Sequence, residues 1–164
     1  MLAAGAAVLP FFHIYCMVVL LLLALAEGAK LLSYMKFDPE RFLKTTFAEK
    51  STLFFVAPPL VQFMAKHPAA KPELLASLTH IVSGAAPLSE ELAGAQVERL
   101  PNVKFMRQGY GLTEASPVIC LAPPGRTKLG AAGRMLPNQS VKIVDPQGRC
   151  VGPGERGELW VKGP

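Results

Sequence analysis

A chain of 164 residues with 51% hydrophobic content is long and apolar enough to bury a core of its own, which excludes a disordered tail. Its 17 lysines and arginines give a formal charge of +5 but are scattered, with no cluster and no interleaved aromatics, so nucleic acid is not an expected partner. Cys16, Cys120 and Cys150, like His13, His67 and His80, are too dispersed for a metal centre; the cysteines read as buried thiols of a reducing, intracellular compartment.

Met1 to Ala26 carries no charged residue, which meets the length criterion for a membrane span. Pro10 and His13 interrupt that run, and there is no basic segment ahead of it. A short strand at Ala6 to Leu9 followed by a fully buried helix from Ile14 to Ala26 accounts for it better, so membrane insertion is not expected. Gly28 then ends the helix, and Ala29 to Tyr34 reads as the next strand. Asp38-Pro39-Glu40 opens a second helix with an aspartate N-cap, proline at its first position and an early carboxylate. Thr52 to Ala57 is a strand stopped by Pro58-Pro59, and Leu60 to Lys66 a short helix. Leu78 to Val82 is a buried strand feeding the small-residue loop Ser83-Gly84-Ala85-Ala86-Pro87. Ser89 caps a helix reaching Arg99, and Val103 to Met106 is the last strand of the series. The alternation predicts an α/β fold, part of a parallel sheet flanked by helices.

Beyond residue 125 glycine and proline become dense, and Val141 to Val144 and Gly157 to Lys162 read as strands of an antiparallel unit around the Asp145-Pro146-Gln147-Gly148 turn. The expected division is an α/β part over 1–124 and a β-rich segment over 125–164.

The stretch Arg107 to Pro117 is where chemistry is expected. It follows the strand ending at Met106, and in open α/β sheets ligands bind beyond the carboxyl ends of strands. Tyr110 offers a flat face, Thr113 a donor and Glu114 an anionic oxygen, a set suited to a base, a phosphate and a divalent cation. The same residues also describe a tight turn whose glycines permit positive φ and whose Glu114 caps the next element. The loop Ser83 to Pro87 and His13 follow strands of the same sheet, so the three places can share one cleft. A lone histidine among Phe11, Phe12 and Tyr15 also fits a satisfied, partly buried ring.

Leu9 to Tyr15, Ser83 to Leu88, Gln108-Gly109-Tyr110-Gly111-Leu112-Thr113-Glu114, Gly130 to Pro137 and Gly157 to Pro164 together resemble the core motifs of the adenylate-forming enzymes, in order and spacing over essentially the whole chain. The wording is most similar to the coumarate:CoA ligase and luciferase-like branch. The resemblance implies an AMP-forming acid:CoA ligase, which activates a carboxylic acid with ATP and Mg²⁺ to an acyl-adenylate and passes the acyl group to CoA. It implies that Tyr110 stacks on adenine, within walls formed by Ser83, Gly84, Ala85, Ala86, Pro87, Gln108, Gly109 and Gly111. Thr113 would contact the α-phosphate and Glu114 bind Mg²⁺. His13 would stand near the reacting carboxylate, with Tyr15, Val19, Gly109, Pro117 and Val118 lining the acyl pocket. The family's Ser/Thr-Gly-Lys phosphate loop, ribose-binding aspartate and C-terminal lysine domain have no counterpart here. The resemblance therefore implies an internal piece of a longer enzyme, inactive alone in acyl transfer, cytoplasmic or peroxisomal. The alternative is a truncated, non-catalytic product that binds a nucleotide or a partner.

Overall fold

A computed structural model describes residues 5–125 and 128–163. The first four residues of the uncharged run, and Pro164 of the last matching motif, lie outside them. Seven strands form a mostly parallel sheet: β1 Gly5–Ala7, β2 Leu31–Ser33, β3 Leu53–Val56, β4 His80–Ser83, β5 Phe105–Gly111, β6 Val118–Leu121 and β7 Arg134–Met135. Their order is β2-β1-β3-β4-β5-β6-β7; pairs from β2 to β5 are parallel, whereas β5–β6 and β6–β7 are antiparallel. The strands β8 Ser140–Val144 and β9 Glu158–Lys162 form a separate antiparallel pair. Four longer helices, with a 3₁₀ turn at Pro72–Leu75, connect the described strands of the parallel part. These are α1, π-wound over Tyr15–Leu22 and α-helical over Leu23–Ala26, then α2 Pro39–Ala48, α3 Pro58–Lys66 and α4 Glu90–Arg99.

Local chemistry explains where the helices begin. Asp38 Oδ1 accepts the Arg41 N–H at 2.7 Å and Ser89 Oγ accepts the Leu92 N–H at 3.2 Å, each satisfying a donor that the helix leaves free. Such caps are each worth about 1 kcal/mol. Pro58-Pro59 does not merely stop β3: it forms the first turn of α3, because proline's fixed φ and missing N–H cost nothing at a helix start. Gly28 takes φ +60 as α1 ends.

The strands alternate in burial and so divide the molecule. On one face Phe54, Val56, Ile81 and Met106 pack with Phe42, Leu43, Val61 and Met64 of α2 and α3 in the main core. Phe42 is fully buried with its ring centroid 5.3 Å from that of Phe54, and burying each such ring stabilises by roughly 2–3 kcal/mol. On the other face a small cluster gathers Ala7, Cys16 and Leu20, with Leu9, Leu31 and Phe55 against it.

Three expectations fail here. The helix α1 is not fully buried: Leu22 is 51% and Leu25 70% exposed, because only the side carrying Tyr15, Cys16 and Leu20 meets the sheet. The strand expected to end at Met106 runs on to Gly111, held beyond Gln108 by pairing with β6. Of the cysteines only Cys16 is buried; Cys120 is half-buried and Cys150 exposed, bridged to Val144 in the β8–β9 connection. No described helix is long and apolar enough to cross a membrane.

Candidate active site at the carboxyl ends of the strands

The parallel strands β1, β3 and β4 end on one side of the sheet, and β5 continues past them. A cleft of about 110 Å³ opens there. From the β1–α1 connection comes His13, from α1 Tyr15 and Val19; from β4 and its loop Val82, Ser83, Gly84 and Ala85; from β5 onward Gly109, Tyr110, Gly111, Thr113, Pro117 and Val118. The three expected places therefore do meet. Ala86 and Pro87 are exposed on the same loop but outside the lining, and Gln108 sits one step back along β5. Glu114 lies in an adjoining groove with Val18, Gln139, Leu159 and Val161. Both hollows are lined by Val19, Leu112, Pro117 and Val118, so the groove that holds Glu114 adjoins the cleft.

Tyr15 is the structural keystone of the wall. Its hydroxyl donates to the Val82 carbonyl at 2.9 Å, and burial pushes its pKa up, so it stays a neutral donor at ordinary pH. A Cβ on Gly84 would stand 3.2 Å from the Tyr15 ring carbon Cζ, so glycine lets strand β4 end flush against the ring. The next residue, Ala85, takes φ +67, a left-handed conformation costing about 1–2 kcal/mol outside glycine, as the chain turns away from the cleft. Beside Tyr15, the Cys16 thiol donates to the Leu9 carbonyl at 3.0 Å and its pKa is raised by burial, which makes it inert packing.

His13 is exposed at the rim rather than partly buried, because the turn begun by Pro10 lifts it clear of the sheet. Its Nδ1 accepts the Tyr15 N–H at 3.2 Å, so the neutral ring carries its proton on Nε2. Ser83 is buried and its Oγ has no hydrogen-bond partner among the described residues; Gln108 Oε1 is likewise unpartnered. Such groups cost stability unless something else satisfies them.

Tyr110 is 39% exposed at a register shift between Tyr110 and Gly111 in the β5–β6 pair. A bulge of this kind re-aims a side chain, here presenting a ring to the cleft. Neither Gly109 nor Gly111 has a positive φ, contrary to the tight-turn expectation. Gly111 is needed for approach instead: a Cβ there would fall 1.8 Å from the Pro117 carbonyl oxygen. The close contact is to the protein's own backbone. Thr113 and Glu114 begin the 3₁₀ turn Thr113–Ala115, whose preceding residue Leu112 offers no side-chain cap; among the described residues Glu114 caps no helix end. Sequence reading missed Ile14, Phe55, Val82, Leu112 and Leu121 as lining residues. In β3 Phe54 and Val56 are buried on one face, which sets Phe55 on the other.

The class follows from this arrangement of a strand-end cleft with Tyr110-Gly111-Leu112-Thr113 on its wall and Glu114 in the groove beside it: residues 4–164 match the AMP-binding enzymes, and the chain belongs to that family. Among its relatives is the 4-coumarate–CoA ligase 1 of Solanum tuberosum, 43% identical over 162 residues, covering 95% of this chain and 30% of the relative. Two solved structures are similar in fold. ATP-bound MatB from Rhodopseudomonas palustris has TM-score 0.85 and 25% identity over 98% of this chain and 31% of its own. The amide bond synthetase McbA from Marinactinospora thermotolerans has TM-score 0.83 and 29% identity over 99% of this chain and 33% of its own. The chain thus spans under a third of the length of the curated relatives it matches.

Proposed function

We propose that this chain carries the acyl- and adenine-binding side of an AMP-forming acid:CoA ligase, which joins a carboxylic acid to ATP as an acyl-adenylate with release of pyrophosphate and then transfers the acyl group to CoA. The observation that carries the reading is the convergence of His13, Ser83–Ala85 and Gly109–Thr113 on one cleft. Membership of the family, a coumarate–CoA ligase relative and a similar structure solved with ATP support it.

In this reading Tyr110 supplies the aromatic face for adenine, the Ser83 to Pro87 loop, Gln108, Gly109 and Gly111 frame the nucleotide, and Thr113 donates to the α-phosphate. Tyr15, Val19, Gly109, Pro117 and Val118 enclose the acyl group. His13, with its proton on Nε2, would donate to the substrate carboxylate and hold it in line. The residues also fit a magnesium ion. Mg²⁺ is characteristically held by one or two carboxylates together with substrate phosphates, and Glu114 is exposed beside Thr113 with no ion pair among the described residues. Bound there, the ion would neutralise charge on phosphate oxygens.

The test is carboxylate-dependent exchange of labelled pyrophosphate into ATP by the protein that contains this chain. Glu114→Ala is expected to slow the exchange by about a hundredfold, the scale on which electrostatic stabilisers act. Unchanged exchange refutes the role of Glu114, and no exchange with any aryl or alkyl acid refutes the function. The span of the chain relative to its relatives favours a second reading, in which the 164 residues alone bind the nucleotide without turnover. ATP·Mg²⁺ then raises the melting temperature of the chain while no acyl-CoA forms.

A further inference from the structure

The separate pair β8–β9 has one edge occupied and one open. On the far side of β8 the Val151 N–H donates to the Ile143 carbonyl at 3.0 Å and the Asp145 N–H to the Arg149 carbonyl at 2.9 Å. Ile143 and Asp145 therefore face away from β9. In an antiparallel ladder the direction alternates, so Ser140, Lys142 and Val144 turn their backbone groups toward Lys162, Trp160 and Glu158. It follows that in β9 the N–H and carbonyl groups of Leu159 and Val161 point outward. No described strand pairs with β9 on that side. One face of β9 carries Glu158, Trp160 and Lys162, all exposed; Trp160 Nε1 donates to Glu158 Oε2 at 3.0 Å, and Lys142 Nζ lies 4.6 Å from the Trp160 ring centroid. The other face carries Leu159 and Val161, half-buried along the groove that also holds Val18 and Leu136.

We propose that β9 is the surface through which two copies of this chain associate, edge to edge, as antiparallel strands about a two-fold axis at Trp160. In that register Leu159 lies opposite Val161 of the second copy, and Val161 opposite Leu159. Each such pair exchanges two N–H to carbonyl bonds, so every outward-pointing group of both residues is satisfied. The same register sets Glu158 opposite Lys162 at both ends, with the two Trp160 rings flanking the axis in the closer, non-hydrogen-bonded type of pair. A parallel arrangement would oppose Glu158 to Glu158 and Lys162 to Lys162. A slip of two residues would set Trp160 opposite a charge and break both ion pairs. Edge charges ordinarily discourage pairing with other chains, but opposite signs at the two ends of β9 make this strand complementary to its own reverse. Five residues bury little area by the standard of permanent dimers, so the association is weak and depends on concentration.

The test is sedimentation velocity of the full 164-residue chain between micromolar and submillimolar concentration, where a monomer–dimer equilibrium is expected. Trp160 is the chain's one tryptophan, so its emission should shift to the blue over the same range as the two rings leave water. Lys162→Glu or Glu158→Lys opposes like charges at both ends and should weaken the dimer by about tenfold. The double variant, Glu158→Lys with Lys162→Glu, restores opposite pairing and should recover the wild-type affinity, which a merely structural role of these side chains would not produce. Val161→Pro removes an outward N–H that takes no part in the β8–β9 ladder, so it should abolish the dimer while keeping the wild-type circular dichroism; it carries the test if the charge reversals disturb folding. A wild type that stays monomeric at every concentration overturns the proposal, and if its Leu159 and Val161 amides also resist hydrogen exchange, the edge is covered from within the chain. A dimer that persists in Val161→Pro, or whose affinity ignores the charge reversals, overturns it as well and places the contact elsewhere, as on the outer edge of β2.

Discussion

Replacing Gly111 by alanine tests whether the loop carrying Thr113 and Glu114 is fixed by the protein's own backbone. The added Cβ would lie 1.8 Å from the Pro117 carbonyl oxygen and 2.8 Å from its carbon. Since Cβ contacts below 3.0 Å essentially never occur, the two backbones must separate by about 1.2 Å. That separation breaks the bond from the Leu112 N–H to the same Pro117 oxygen, now 2.9 Å, and undoes the pairing of Gly111 with Val118. Overpacking costs about 1–3 kcal/mol and the lost hydrogen bond about 1 more. The variant is therefore expected to be less stable by about 2–4 kcal/mol, or roughly 5–15 °C in Tm for a chain of this size. Urea denaturation followed by circular dichroism measures it, with the response of Tm to ATP·Mg²⁺ as the site readout, which should be lost. A variant with wild-type midpoint and wild-type nucleotide response would refute the reasoning, because no side chain lies in the way that could yield instead.

Gly94 is the opposite case: it sits within α4, and a Cβ added there would meet nothing within 4 Å, so Gly94→Ala should raise stability by about 0.5–1 kcal/mol, seen as a higher urea midpoint with unchanged slope. At the β8–β9 end, Asp145 Oδ1 accepts the Arg149 and Gln147 N–H groups, each at 2.9 Å, and Oδ2 accepts Arg149 Nε at 2.8 Å. The Arg149 backbone bond foremost, with the other two, holds this carboxyl below its ordinary 3.8. A depressed pKa in the folded state means that the contribution is complete above the ordinary value and is lost as pH falls through the folded one. Amide exchange at Gln147 and Arg149 should thus accelerate only below about pH 4, and Asp145→Asn should remove that step; a step centred near neutrality would contradict the assignment.

What could be read from the sequence was what neighbours in the chain decide. Asp38-Pro39, Ser89 and Gly28 mark helix ends through bonds to residues at most a turn away, and the structure has them where they were expected. The meeting of His13, Ser83 and Tyr110 was also legible, since in a parallel sheet strand ends share an edge. The extension of β5 was not. Gly109 and Gly111 look like loop residues because glycine weakens an isolated strand, and only the partner β6 makes strand of them. The exposure of α1 escaped for a similar reason: an apolar run states that burial is possible on every side, not which side finds a partner. Phe55 was passed over because a β-rich apolar run shows its alternation only once one face is known to be core.

The same extension explains why there is a cleft at all. The last parallel pair between β4 and β5 joins Ser83 to Gln108. Past it β4 turns off through Gly84 and the left-handed Ala85, whereas β5 goes on for three residues, kept in the sheet by β6 on its other side. Along those residues β5 has a neighbour on one edge only, and its other edge is left facing the gap that β4 vacated. Gly109 and Gly111 let β6 and the Pro117 backbone lie close against β5, and the bulge at Tyr110 sets a large ring at the border of the gap. Sheet pairing changes from parallel to antiparallel at the same step, so the crevice arises where the strand loses one partner before it loses the other, much as crevices in doubly wound sheets arise where the connections reverse. Substrate-sized space in this fold is accordingly a consequence of strand lengths. A change that continued β4 through Gly84 and Ala85 would fill the cleft by extending a strand, and would take from the site two residues of the loop that frames it.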